Sequence, residues 1–170
     1  SRIIFILRHP CGQVASTLAG IRNGKFERRV PFDEILDTDE ARAQGLKRDA
    51  FGSLPPVEKA AWHWAILNQK ALNDLGDNSR VTHLRYEDMG RDPLPQARAL
   101  FDFARLPWNS QTEAFLLKSS AGSSSGSYFD IVRNSQASAN RWRQELSATD
   151  QAAIMHIAMR FPVGQFYADV

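Results

Sequence analysis

The sequence has little cysteine and no long apolar run, and each shortage excludes a class of protein. Cys11 is the one cysteine in the 170 residues, so no internal disulfide can form and the fold does not depend on an oxidising compartment. No apolar stretch approaches the length of about 18 residues that a membrane-spanning helix needs, and no signal peptide is visible. We therefore expect no membrane span and a cytoplasmic location.

The chain also lacks an excess of charge of one sign. Its 21 basic residues stand against 19 acidic ones, which gives a net charge of +2. Such a balance argues against nucleic acid or a membrane surface as the main partner, although local basic sites are compatible with it. The four histidines share no metal-ligand spacing with cysteine or carboxylate residues, so no metal site is predicted.

Apolar and helical segments alternate along the chain, which predicts an α/β domain with a parallel sheet. Residues 2–7, an unbroken Ile/Phe/Leu run after Arg2, predict a strand that is buried on both faces. "RVTHLRY", 80–86, predicts a second strand. Helices are predicted at 11–22, at 111–118 and at "PPVEKAAWHWAILNQKALNDLG", which ends at Gly76. A further helix is predicted to follow Asp92 as its cap. The last helix is predicted to begin at Ser147, which forms a capping box with Asp150.

The length of 170 residues suits one domain. Within it, the charged stretch 23–54 is interpreted as a lid or insertion with one short helix, and "SSAGSSSGS", 119–127, as a flexible loop. Because the chain begins inside a strand-like run, we expect it to be the C-terminal part of a longer protein.

Arg8 ends the first predicted strand, and Ser16 follows it one to two turns into the next helix. Ligands of open α/β sheets bind beyond the carboxyl ends of the strands. A guanidinium fork and a hydroxyl at that place can converge on one tetrahedral anion, helped by helix N-terminal amides. The alternative is that Arg8 pairs with a surface carboxylate and Ser16 is an ordinary exposed helix residue.

Three stretches, in order, resemble the sulfotransferases that use 3′-phosphoadenosine 5′-phosphosulfate (PAPS). "RHPCGQVAS" is similar to the family's R-D/H-P motif with a serine eight residues after the arginine. "LRYEDMGRDP", followed by "ARALFDFARLPW", looks like its Y-E-D-x-x-x-D-P segment and the helix after it. "NRWRQELS" resembles its R-W segment near the C-terminus. "RHPC" and the long Pro-Pro helix resemble the bacterial-type and protein-tyrosine branches most.

This resemblance implies a P-loop-NTPase-like sheet flanked by helices, with PAPS as co-substrate and no metal. In the family, the arginine and serine hold the 3′-phosphate, the tyrosine packs by the adenine, and a later basic loop closes over the phosphate. The implied cofactor-binding residues are Arg8, Ser16, Tyr86, Arg133, Ser138 and Arg141. Trp142 is interpreted as a packing anchor for that loop, and His9 as structural.

Two parts of the family's site have no counterpart here. Nothing matches the P-x-S/T-G-T-T/S-W-like loop that cradles the 5′-phosphosulfate, and no Walker or G-x-G-x-x-G motif is present. The family's catalytic base also precedes the R-D/H-P strand. The resemblance therefore implies no catalytic residue within residues 1–170; the sulfuryl half is expected upstream of Ser1, and the chain alone is expected to be inactive.

Two other functions are compatible with these residues. One is a P-loop nucleotide kinase fragment, in which "KFERR", 25–29, would be a basic lid. The other is a nucleotide-binding or interaction module without catalysis. The sequence does not name the acceptor of a sulfuryl group.

Overall fold

The computed structural model describes residues 1–24, 31–121 and 139–169. The chain divides into two compact units. The first unit consists of Ser1–Arg8 and Asp77–Arg141, and the second of His9–Gly76 and Trp142–Val170. Of the described helices, none is both long enough and apolar enough to cross a membrane.

The first unit contains a two-stranded parallel sheet. Strand β1, Ile3–Leu7, pairs with β2, Val81–Arg85, in a register that places Ile3 opposite Val81 and Leu7 opposite Arg85. Both strands therefore end at the same edge, which we call the carboxyl edge. Helical structure separates the two strands along the chain, as a parallel connection requires. The predicted α/β class with a parallel sheet is confirmed.

Strand β1 is more exposed than its sequence predicts. Leu7 is fully buried, but Ile3, Ile4 and Ile6 are 45%, 37% and 56% exposed. The prediction that both faces are buried is wrong for the described residues, because there β1 pairs with β2 alone. An unbroken apolar run shows that a strand is suited to burial, but it does not show how many neighbours cover that strand.

Three helices complete the first unit: α5 (Tyr86–Arg91), α6 (Pro93–Ala104) and α7 (Ser110–Ala121). Asp92 does not cap α6 with its side chain, contrary to the prediction, because its carboxylate accepts from Arg91 Nε at 3.0 Å. Helix α6 is tied to α7 by Arg98, whose guanidinium donates to Glu113 at 2.7 Å and lies 4.8 Å from the ring centre of Trp108.

The second unit is helical, with its core between α1 (Pro10–Arg22), α4 (Pro56–Leu75) and α9 (Ala148–Ala158), the last of which follows the short helix α8 (Trp142–Glu145). As predicted, α4 begins at prolines and ends at Gly76, whose φ of 58° suits glycine. The predicted cap of α9 is also confirmed, since Ser147 Oγ accepts from the Asp150 amide at 3.1 Å. Buried Gln69 of α4 accepts from the Val163 amide at 3.0 Å and so ties α4 to the C-terminal segment.

Residues 31–54 contain more helix than the sequence predicts. A 3₁₀ helix, Phe32–Asp37, is followed by α2, Asp39–Ala43, and α3, Arg48–Gly52. Ile35, Leu36, Ala41 and Phe51 are buried, which accounts for the order of this otherwise charged stretch. Whether these residues act as a lid stays a prediction, as does the single domain.

The C-terminal 3₁₀ helix, Pro162–Tyr167, approaches α9 so closely that only glycine fits at one position. A Cβ on Gly164 would overlap the backbone carbonyl of Ala158, which cannot rotate away. We expect Gly164→Ala to lower the free energy of unfolding by about 1–3 kcal/mol. Urea denaturation measures this. The control is Gly52→Ala, where a Cβ meets nothing within 4 Å, and an equal loss in both variants would contradict the packing account.

Candidate functional site

Arg8 and Tyr86 meet at the carboxyl edge of the sheet. Each is the residue directly after a strand, and β1 and β2 end in register, so the two side chains begin side by side. The Arg8 guanidinium lies 5.2 Å from the centre of the Tyr86 ring, and both residues are half-buried. A guanidinium at this distance is attracted electrostatically by the face of the aromatic ring.

A carboxylate clamp holds the turn that carries Tyr86. Asp88 accepts from Arg85 Nε at 2.7 Å and from a terminal nitrogen of Arg85 at 3.0 Å, which makes a bidentate pair. A terminal nitrogen of Arg91 donates to Asp88 as well, at 2.7 Å. Hydrogen bonding to Arg85 is the main cause that holds the pKa of Asp88 below its usual value. Asp88 is therefore a structural tie, and the clamp fixes the first turn of α5.

We expect Asp88→Asn to lower the free energy of unfolding by about 1–2 kcal/mol, because two arginines lose a carboxylate that is only 17% exposed. Thermal denaturation at pH 7 measures the loss. Asp39→Asn is the matched control, since Asp39 pairs with Arg42 across the same spacing but is 92% exposed. If both variants lose the same amount, the clamp does not hold the turn.

Ser16 lies on the exposed side of α1 in the second unit, whereas Arg8 belongs to the first. The helix that carries Ser16 begins at His9, whose Nδ1 accepts from the Cys11 amide at 3.2 Å. In the neutral ring Nε2 then carries the proton. His9 is thus the N-cap of α1, and the expectation that it is structural is confirmed. That Arg8 and Ser16 together bind one anion stays a prediction.

His9, Trp142 and Tyr167 form a buried aromatic group, which we call the histidine cluster. The His9 ring stacks on Trp142 with centres 4.3 Å apart and an interplanar angle of 15°, and meets Tyr167 edge-on at 5.0 Å. Burial, and secondarily the positive charge of Arg143, lowers the pKa of His9 to about 4. Trp142 is thus buried in the core of the second unit, and its predicted role as an anchor for the preceding basic loop stays a prediction.

Cys11 lies beside this cluster and is fully buried. Burial raises the pKa of its thiol to about 12, so the thiolate is scarcely populated at neutral pH. A cysteine at the start of a helix can be a reactive thiolate or an inert core residue, and the burial of Cys11 supports an inert core residue. No group of three His, Cys, Asp or Glu residues that could hold a metal occurs in the described ranges.

The other predicted site residues are less defined. Arg141 is described and exposed, at the end of the first unit. Arg133 and Ser138 lie outside the described residues, as does "KFERR", 25–29. Sequence reasoning did not identify the Asp88 clamp as a bidentate pair, although the three-residue spacing from Arg85 was a signal for it. No local signal joined Tyr167 to His9.

Comparisons of this chain with known proteins all indicate the same family. The protein-family model that matches residues 1–110 is described as "Sulfotransferase family". The chain is 34% identical over 143 residues to human carbohydrate sulfotransferase 3, a match that covers 84% of this chain and 28% of that protein. It is 38% identical over 66 residues to mouse carbohydrate sulfotransferase 2, covering 38% of this chain and 12% of the relative. It thus spans less than a third of the length of these relatives.

A solved structure has the same fold. The sulfotransferase domain from the curacin biosynthetic pathway superposes with a TM-score of 0.55 at 20% identity, covering 94% of this chain and 53% of that one. At that identity the likeness concerns the fold alone, and it agrees with a parallel sheet of the P-loop type flanked by helices.

Proposed function

Because the chain belongs to the sulfotransferase family, we propose that it supplies the 3′-phosphate and adenine half of a PAPS site. The enzyme would move the sulfuryl group of PAPS to a hydroxyl or amine of an acceptor. The observation that supports this most is the arginine at the carboxyl edge, half-buried over the Tyr86 ring at 5.2 Å. That edge is where open α/β sheets bind their ligands.

Arg8 would donate two N–H groups to the 3′-phosphate, because a guanidinium fork matches the spacing of two phosphate oxygens. The Tyr86 ring centre lies 5.2 Å from this guanidinium, and the Asp88 clamp ties together the turn to which Tyr86 belongs. Tyr86 would also pack by the adenine and bond its edge. Its half-buried ring offers an apolar surface with a hydroxyl at the tip.

Ser16 would be the second ligand of the same phosphate. Its hydroxyl is exposed on α1, so it is accessible to a ligand, and the His9 cap and the histidine cluster fix the start of that helix. Arg133, Ser138 and Arg141 would close over the phosphate from the later basic segment. These roles rest on the positions that match the family's motifs.

In the reaction, these residues would bind and orient the nucleotide so that the sulfuryl group lies in line with the acceptor oxygen or nitrogen. A base would remove the acceptor proton, and cationic and amide donors would stabilise the bridging oxygen as the phosphate leaves. We assign neither the base nor those donors to residues 1–170. Since relatives are named carbohydrate sulfotransferases, we propose a sugar hydroxyl as the acceptor.

Calorimetric titration with adenosine 3′,5′-bisphosphate (PAP) and with ATP tests the nucleotide half directly. We expect PAP to bind at least about tenfold tighter, because it alone carries a 3′-phosphate for Arg8 and Ser16. Preference for ATP would instead support a nucleotide kinase, and indifference to both would support an interaction module. Either result would contradict the proposal.

A further inference from the structure

Helix α5 carries Tyr86 as its first residue, but its own packing does little to hold it. The helix is six residues long, and the structure, which describes all six, shows none of them buried. No hydrogen bond from a side chain in the described ranges caps its first turn. Helices shorter than about 12–15 residues are marginal in water even in favourable sequences. The position of α5 therefore depends on bonds made by the side chains at its two ends.

Asp88 makes those bonds at both ends. Arg85, the last residue of β2, donates twice to the Asp88 carboxylate, and Arg91, the last residue of α5, donates to it at 2.7 Å. The carboxylate thus joins the residue before Tyr86 to the far end of the helix. Because Asp88 is only 17% exposed, water screens these pairs less than it screens ordinary surface pairs.

Arg8 approaches the Tyr86 ring from the other strand. The position of Arg8 follows from β1, which pairs with β2 in a fixed register, whereas the position of the Tyr86 ring follows from α5. The two side chains meet with the guanidinium 5.2 Å from the ring centre. A change in the turn that begins α5 would therefore move the ring relative to the guanidinium and to any ligand held there.

We propose that Asp88 is a positioning residue of the nucleotide site, which holds the Tyr86 ring, through Arg85 and Arg91, where the ring can contact adenine. The proposal rests on the proposed function, to which it adds a residue that touches no part of the nucleotide. Binding groups act at full strength only when the residues around them hold them within about 0.5 Å of the productive position. The contribution of the base to binding therefore depends on the Asp88 clamp.

The first test needs no nucleotide. The chain has three tyrosines, so protein with ¹³C-labelled tyrosine rings gives three sets of ring signals in an NMR spectrum. The set that is missing in Tyr86→Phe belongs to Tyr86. We expect Asp88→Asn to shift that set, because the ring changes its position relative to the Arg8 guanidinium. An unshifted Tyr86 signal in Asp88→Asn would overturn the proposal.

Asp92→Asn is the matched control for the loss of a carboxylate in this segment. Asp92 directly follows α5 and accepts from Arg91 Nε at 3.0 Å, but its side chain is 53% exposed and its pair is open to solvent. We expect the Tyr86 signal to keep its position in this variant. An equal shift in Asp88→Asn and Asp92→Asn would mean that charge alone moves the signal, which would contradict a positioning role.

The second test measures the contribution of the base. PAP and ribose 3,5-bisphosphate share the ribose and both phosphates, and only PAP has adenine. We expect the wild type to bind PAP about 30-fold tighter in calorimetry, which is within the range for one base against an aromatic side chain. Asp88→Asn should lower this ratio about fivefold, and Asp92→Asn should leave it unchanged. A loss of affinity that is equal for both ligands would show a merely structural role and overturn the proposal.

Two further variants keep the test decisive if Asp88→Asn does not fold. Arg91→Gln removes one arm of the clamp at a side chain that is 57% exposed, and it should lower the ratio about twofold. Asp88→Glu keeps the carboxylate and should lower the ratio less than Arg91→Gln does. A wild-type ratio in Arg91→Gln would contradict the proposal.

The two tests allow this proposal and the proposed function to fail separately. If the wild type prefers PAP to ribose 3,5-bisphosphate and Asp88→Asn has the same preference, the positioning role is wrong and the nucleotide site stands. If the Tyr86 signal shifts in Asp88→Asn but the wild type does not bind PAP, the clamp holds the ring, whereas the proposed function falls and the role of Asp88 in nucleotide binding falls with it.

Discussion

Replacement of Arg8 by alanine is expected to lower the affinity of the chain for PAP about 100-fold. The guanidinium would donate two charge-assisted hydrogen bonds to the 3′-phosphate, and loss of such a pair costs about 3 kcal/mol. Arg8→Lys keeps the charge but loses the fork, so we expect a loss of about tenfold. Isothermal titration calorimetry with PAP measures both.

Two controls separate ligand binding from support of Tyr86. Arg98 is also an arginine over an aromatic ring, 4.8 Å from the centre of Trp108, and Arg98→Ala should leave the affinity for PAP unchanged. Adenosine 5′-monophosphate lacks the 3′-phosphate, so its affinity should be equal in the wild type and in Arg8→Lys. If Arg8→Ala binds PAP as the wild type does, Arg8 does not hold the phosphate.

The second large effect is a loss of stability in weak acid caused by His9. Its pKa is about 4 in the folded chain and 6.5 when unperturbed, so between these values the unfolded chain binds more protons than the folded one. The stabilisation is complete above pH 6.5 and is lost as the pH falls to about 4. With His9 only 1% exposed, we expect a decrease of about 3 kcal/mol across that window. Urea denaturation at several pH values measures it.

The variants His9→Phe and His9→Asn remove the titrating group, the first keeping an aromatic ring against Trp142 and the second a small polar side chain. We expect both to be less stable at pH 7, and we expect their free energy of unfolding to change less between pH 6.5 and 4 than that of the wild type. Burial also lowers the pKa of His63, so His63→Gln is the matched control and should retain the His9 part of the decrease. An unchanged pH dependence in both His9 variants would contradict a neutral, buried His9.

Local signals predicted the elements that position the site. The apolar run before Arg8, the two prolines before α4, Gly76 after it and the serine cap of α9 each act through neighbouring residues, so a sequence shows them directly. The placement of Arg8 after the first strand followed from the same signals, whereas Tyr86, predicted as the last residue of the second strand, is the first residue of α5.

Properties that depend on distant neighbours were not predictable. The exposure of Ile6 depends on which strands flank β1. The contact of His9 with Tyr167 joins the two ends of the second unit, and the short helices of 31–54 are ordered by burial of Phe51 and its neighbours. In each case tertiary packing, which has no local signature, decided the outcome.

The central claim is that Arg8 and Ser16 bind one phosphate on the ribose, and the contribution of that phosphate to binding tests it most directly. This contribution is the difference in binding free energy between PAP and adenosine 5′-monophosphate, measured by calorimetry for the wild type, Arg8→Lys, Ser16→Ala and the double variant. We predict that each single variant reduces the difference and that the double variant nearly abolishes it. A difference that is the same in all four proteins would contradict the account.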